Sequence, residues 1–168
     1  MEVYQLFDKP LPGLPEDLHG LFFFSCKSFH IVTVFSNIKR KVFGYTQFAQ
    51  FGEDAVLAEL FRDTSHGIYI DVGAHHPYRY SNTYLLHKKG WHGTNIDPYP
   101  YTIRLFNMAR PQDKNICSGV GNAGTLMYYQ FSDPAVNTFK KEEAEKWKGK
   151  SFLKFLGTTD VEVRPLSE

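Results

Sequence analysis

The spacing of apolar positions changes several times along the chain, and each change marks an element. From Glu53 to Asp63 the apolar residues Val56, Leu57, Leu60 and Phe61 recur at one-, three- and four-residue intervals, the spacing of one helix face. Glu53 and Asp54 stand where the positive N-terminal end of that helix favours acids. His66-Gly67 closes it. Gly67-Ile-Tyr-Ile-Asp-Val-Gly73 is short, β-branched and bounded by glycines, which predicts a buried parallel strand ending on Asp71 and Gly73. Ser81 to Lys89 predicts a helix with Ser81 as N-cap, Tyr84, Leu85 and Leu86 inward, and Lys88-Lys89 at the end that favours cations. Gly93-Thr-Asn-Ile-Asp97 predicts a second strand, which Pro98 and Pro100 bar from continuing.

Residues 101–110, with Ile103, Leu105, Phe106 and Met108, predict a helix stopped by Pro111. A third strand begins near Lys114 and runs through Ile116 and Cys117 towards Gly119-Val-Gly121. Thr125–Phe131 reads as a further strand, 139–150 as a charge-rich helix with a solvated face, and Val161-Glu-Val163 as a last short strand, five strands at most. Strands and helices alternating with short connections predict an α/β fold on a parallel sheet with right-handed crossovers. Residues 1–20 hold Pro10, Pro12, Pro15, Gly13 and Gly20 and predict an irregular lead-in. Residues 21–43 are aromatic and then basic, ending in Lys39-Arg40-Lys41; an edge element covering the core outweighs a membrane-surface or partner contact. The chain thus divides into an extension, 1–44, and a domain, 45–168.

Composition narrows the class. With 19 Lys+Arg against 18 Asp+Glu the net charge is +1, so nothing concentrates positive charge for nucleic acid or an anionic membrane. A chain 42% apolar and 22% charged is not disordered, and 16% aromatic residues supply large buried areas. Cys26 and Cys117 are far apart, which encodes neither a zinc site nor a disulfide framework and predicts two buried thiols in a reducing cytoplasm. The Met-Glu start lacks a basic signal-peptide region, and Leu21–Phe35 is interrupted by Lys27 and His30. The expectation is a soluble, cytoplasmic protein. His75, His76, His87 and His92 cluster in sequence but match no helical ligand pair, so no metal is expected. Trp91 is expected to pack in the core behind the second strand.

Ligands of open α/β sheets sit outside the carboxyl ends of the strands. Asp71 and Asp97 end two of them, 26 residues apart, and an acid ending the second strand is placed to accept hydrogen bonds from a ribose diol. A dinucleotide fingerprint starting at Gly73 would need glycine at 75 and 78, where the chain has His75 and Tyr78. A nicotinamide-dependent oxidoreductase is therefore disfavoured. The Asp71 carboxylate beside the turn suits a cationic ligand such as the ammonium and sulfonium of S-adenosylmethionine.

Six segments in order carry a resemblance. They are Gln50-Phe-Gly-Glu-Asp54, Tyr69-Ile-Asp-Val-Gly-Ala-His-His-Pro77, Ser81-Asn-Thr83, Gly90-Trp-His-Gly-Thr-Asn-Ile-Asp-Pro98, Arg110-Pro-Gln-Asp113 and Gly119-Val-Gly121. Together they resemble the FkbM family of S-adenosylmethionine-dependent methyltransferases over roughly residues 45–165. The resemblance implies a Rossmann-like fold and O-methylation of a sugar, glycan or other hydroxylated small molecule. It implies that Asp71, Gly73, Ala74 and His75 form the donor-binding turn and that Asp97, followed by Pro98, binds the ribose. It further implies that Asp113 lies near the adenine, with Gln50, Glu53 and Asn82 lining the donor pocket.

The chain departs from the family pattern at Pro77, where a small residue is common, and at Ala49-Gln50, where Ser-Gln is common. Family members continue past a segment like Val161–Leu166 to a strand ending in an Ile-Asp-Val-Glu-Gly-like motif, whereas this sequence stops at Glu168. The expectation is the N-terminal part of the methyltransferase fold, with an unpaired sheet edge that favours self-association. His75 and His76, beside the donor turn, are the candidate general bases for an acceptor hydroxyl, unless the base comes from elsewhere in the fold. The competing reading is a non-catalytic fragment or pseudoenzyme acting as a cofactor-binding or interaction module.

Overall fold

Short strands, the two central ones closed by Gly73 and Pro98, build the sheet that organises this protein. The computed structural model describes residues 22–25, 41–42 and 44–167. β1 (Phe22–Ser25) precedes a two-stranded ribbon of β2 (Lys41–Val42) and β3 (Tyr45–Thr46). Helix α1 (Glu53–Leu60), β4 (Ile68–Val72), α2 (Tyr84–Lys88), β5 (His92–Asp97), α3 (Pro100–Ala109) and β6 (Lys114–Cys117) follow in alternation. Strands β1, β4, β5 and β6 lie side by side in that order and are all parallel. Asp71 pairs with Asn95, and Asp97 with Cys117, so the carboxyl ends of β4 and β5 lie along one border of the sheet.

Each connection steps one strand in the same direction, so right-handed crossovers place α1, α2 and α3 on one face. Tyr69 and Asp71 point to that helical face and are buried, whereas Ile68, Ile70 and Val72 alternate to the other and are exposed or half-buried. Trp91, 1% exposed, packs with Leu57, Tyr69 and Leu86 under the helices, the core position expected of it. Gly93 makes room for Tyr69: a Cβ there would collide with the Tyr69 ring and carbonyl.

A second sheet follows. β7 (Gly119–Val120), β8 (Gly124–Phe131) and β9 (Phe155–Arg164) assemble in the order β7-β9-β8, with β9 parallel to β7 and antiparallel to β8. A 3-10 turn (Pro134–Val136) and α4 (Lys141–Lys148) connect β8 to β9. Tyr129, Phe131, Val136 and Ala144 form its apolar core, with Trp147, Leu153 and Phe155 against it. The charge-rich α4 turns only Ala144 fully inward.

Several expectations are corrected here. In α1 it is Asp54, Ala55, Leu57 and Ala58 that are buried, while Val56 and Leu60 are exposed. The small Ala55 and Ala58 allow close approach, and Asp54 turns inward because its Oδ2 accepts the Phe48 N–H at 2.6 Å. Ser81 does not cap α2, which starts at Tyr84; its hydroxyl instead accepts a bond from Arg110. The third strand splits at Ser118, since β6 joins the parallel sheet and β7 joins β9. The last strand has ten residues because the eight-residue β8 pairs along it. Nine strands therefore stand among the described residues, four of them in the parallel sheet. Met108 is exposed, and so is Cys117, not a buried thiol. Residues 1–20, Cys26 and Lys39-Arg40 lie outside the described residues.

Candidate active site

At the end of β4 the chain must turn sharply, and Gly73 does so with φ 73°, a left-handed conformation that favours glycine. The Gly73 and Ala74 N–H groups both donate to the Ile96 carbonyl, at 2.8 and 3.2 Å, which lays the turn across the end of β5. The next N–H, that of His75, donates to Asp97 Oδ2 at 3.0 Å. Tyr99 N–H donates to Asp97 Oδ1 at 2.8 Å, at the point where Pro98 and Pro100 lead into α3. Thr102 Oγ1 donates to the His75 carbonyl at 2.9 Å. The turn at residues 73–75 and Asp97 are therefore one hydrogen-bonded unit.

Both strand-end acids are buried, Asp71 at 3% and Asp97 at 6% exposure. Burial pushes the Asp97 carboxyl up to about 6, opposed by the Tyr99 and His75 N–H bonds. Burial also raises Asp71, against the Thr83 hydrogen bond and the nearby Arg110 charge. Thr83 Oγ1 donates to Asp71 Oδ2 at 2.8 Å.

His75 has φ 57° and Tyr80 φ 59°, and the two rings stack at 5.8 Å. Non-glycine residues held in this region carry strain of roughly 1–3 kcal/mol each and cluster at functional sites. His75 Nε2 is buried with no hydrogen-bond partner, and burial lowers the imidazole to about 4, so the ring is neutral at pH 7. His76 is different. Its Nδ1 accepts the N–H groups of Tyr78 and Arg79, both at 3.1 Å, so in the neutral ring this geometry assigns the proton to Nε2. The Nδ1 lone pair is thus engaged by the loop that follows, and His76 caps that loop.

The other anticipated residues are distributed unevenly. Asp113 precedes β6, opposite Gly93, at the amino end of the strands rather than the carboxyl end. There it accepts Tyr69 Oη at 2.5 Å, Asn95 Nδ2 at 3.0 Å and Gly93 N–H at 3.0 Å. Parallel register carries it away from Asp71 and Asp97, which corrects the adenine-side placement. Glu53 accepts the Phe51 N–H at 2.9 Å, Gln50 is exposed, and Asn82 is half-buried beside Thr83. A hollow of about 250 Å³ between His76, Pro77 and Tyr78 and the Leu105, Met108 and Ala109 side of α3 includes neither acid. Among the described residues no three His, Cys, Asp or Glu side chains converge to hold a metal ion, and no helix is long and apolar enough to cross a membrane.

Arg110, which follows α3, had no role assigned from sequence. It is completely buried, and its two terminal nitrogens make four hydrogen bonds. The available signal was helical spacing: Ile103, Phe106 and Arg110 share one face, and the first two are buried.

A family model of the methyltransferase FkbM domain matches residues 71–168. No curated protein and no solved structure gives a match. The matched segment opens on Asp71, takes in the turn and Asp97, and spans more than half of the sequence: the chain belongs to the FkbM methyltransferase family.

Proposed function

We propose that this chain binds S-adenosylmethionine across the carboxyl ends of β4 and β5 and serves O-methylation of a sugar or glycan hydroxyl. In this reading the parallel sheet is the N-terminal part of a Rossmann-like methyltransferase fold. The order β4-β5-β6 follows strands one to three of a doubly wound sheet. The observation that carries the reading is the Asp97 carboxylate, buried at a strand end and locked by backbone N–H bonds to the glycine turn beside it.

The residues fit such a donor. Asp97 uses two of the roughly four acceptor positions of a carboxylate on backbone N–H groups, which leaves capacity for a ribose diol. Gly73 places no side chain over the border between β4 and β5, and Asp71 supplies negative charge for a cationic ligand. The donor, when bound, supplies a methyl group activated by its sulfonium.

What this chain adds is alignment, exclusion of water and a place for the acceptor proton. His75 is the proposed base: its Nε2 has no partner, and its ring is held beside the turn by stacking on Tyr80. A base that is neutral at pH 7 suffices, because the leaving sulfide needs no proton and the hydroxyl is deprotonated as the new bond forms.

Calorimetric titration with S-adenosylhomocysteine tests the reading. Binding is expected in the wild type, and weakening of thirtyfold or more in Asp97→Ala. A folded wild type that takes up no ligand would favour an interaction module without donor binding.

A further inference from the structure

We infer that Arg110 is a positioning residue for the donor turn, acting on Asp71 through Thr83 and on the 77–81 loop directly. The inference rests on the donor reading above and goes one step deeper into the same site.

The guanidinium joins what the sequence separates. Nη1 donates to Thr83 Oγ1 at 2.8 Å and to Tyr69 Oη at 3.0 Å. Nη2 donates to the Pro77 carbonyl at 2.5 Å and to Ser81 Oγ at 3.0 Å. One planar fork therefore grips both ends of the segment that leaves the donor turn and enters α2. Thr83 accepts from Arg110 with the same oxygen whose hydrogen it donates to Asp71 Oδ2. A hydroxyl has one proton to give, so the Arg110 bond commits that proton to the carboxylate and fixes the Asp71 rotamer.

Tyr69 repeats the pattern on the other side, accepting from Arg110 and donating to Asp113 at 2.5 Å. The buried cation is thus flanked by two carboxylates, each reached through one hydroxyl. Phe106, with its ring 5.0 Å from the guanidinium carbon, closes the site from the helix side. A lysine could neither span four acceptors in one plane nor hold this geometry.

The test uses the intact chain and four variants: Thr83→Val, Thr83→Ser, Arg110→Lys and Asp71→Asn. Near-ultraviolet circular dichroism and a melting curve report folding, and calorimetry reports the Kd for S-adenosylhomocysteine. A positioning role predicts that Thr83→Val and Arg110→Lys melt cooperatively yet bind at least tenfold more weakly. Thr83→Ser, which keeps the hydroxyl, should return to within about threefold of wild type. A merely structural role would not separate Val from Ser in ligand affinity while both stay folded.

If Asp71→Asn loses binding and Thr83→Val and Arg110→Lys do not, the positioning role is overturned while the donor reading stands. Loss of cooperative melting in both Thr83→Val and Arg110→Lys would overturn it too, making the network a requirement of folding. A wild type that fails to bind would sink the donor reading itself, and the inference with it.

Discussion

The parallel sheet and the β7-β9-β8 sheet bury different chemistry. Of the ten polar or charged residues buried among the described residues, nine lie between Asp54 and Asp113, and only Ser118 falls outside that span. The second sheet instead closes over Tyr129, Phe131, Val136 and Ala144. Apolar burial is non-directional: it stabilises without fixing where a particular atom stands. A buried network is directional, and it is costly if one member goes unsatisfied. The first layer is built to hold a loop and two carboxylates in place, and the second to hold itself together.

The strongest way to break this contrast is Arg110→Met. It leaves the Thr83, Tyr69 and Ser81 hydroxyls and the Pro77 carbonyl without their shared donor. Breaking such a buried set should cost about 3–5 kcal/mol in urea unfolding, and ligand binding should vanish. Phe131→Ala is its counterpart in the apolar layer, with an expected loss of about 3–4 kcal/mol. On the fraction that remains folded, its affinity for S-adenosylhomocysteine should stay within twofold of wild type. Equal damage to binding from both substitutions would erase the distinction between the layers.

A pH titration sharpens the contrast at one atom pair. Burial pushes Asp97 up to about 6 in the folded protein, from an ordinary value of 3.8. The folded state therefore holds this proton more tightly than the unfolded chain. Its contribution to stability is complete below about pH 4 and is lost as pH rises through 6. Ligand affinity should run the other way, because a diol needs the ionised carboxylate as its acceptor. Calorimetry at pH 7 and pH 5 should show about a tenfold loss of affinity in acid.

The smallest expected effect is Glu145→Ala on α4, where the ion pair with Lys148 at 2.8 Å is solvent-exposed. Thermal melting should register less than about 0.5 kcal/mol, with no change in ligand binding.

Much of the fold was legible because its signals are local. β4 is an apolar run closed by Gly73 and β5 a short run closed by Pro98, and that punctuation places Asp71 and Asp97 at their carboxyl ends whatever surrounds them. The orientation of α1 was not legible. Its apolar spacing fits a Val56–Leu60 face, yet the neighbouring Phe48 N–H draws Asp54 inward. Asp113 misled for a related reason: an acid in a motif does not reveal which end of a strand it will face. A polar alternation also went unread, since Tyr69 and Asp71, like Asn95 and Asp97, recur at two-residue spacing.

The α/β alternation, the two strand-end acids and the glycine turn between them are local properties of the chain, because period, punctuation and φ preference act within a few residues. What the polar residues do to one another emerges only once the chain is folded. Arg110 meets Thr83 and Tyr69 across 27 and 41 positions of chain, and Asp113 meets Tyr69 across 44. Hydrogen bonds over such separations depend on strand order, register and helix rotation together, and no local pattern encodes their sum.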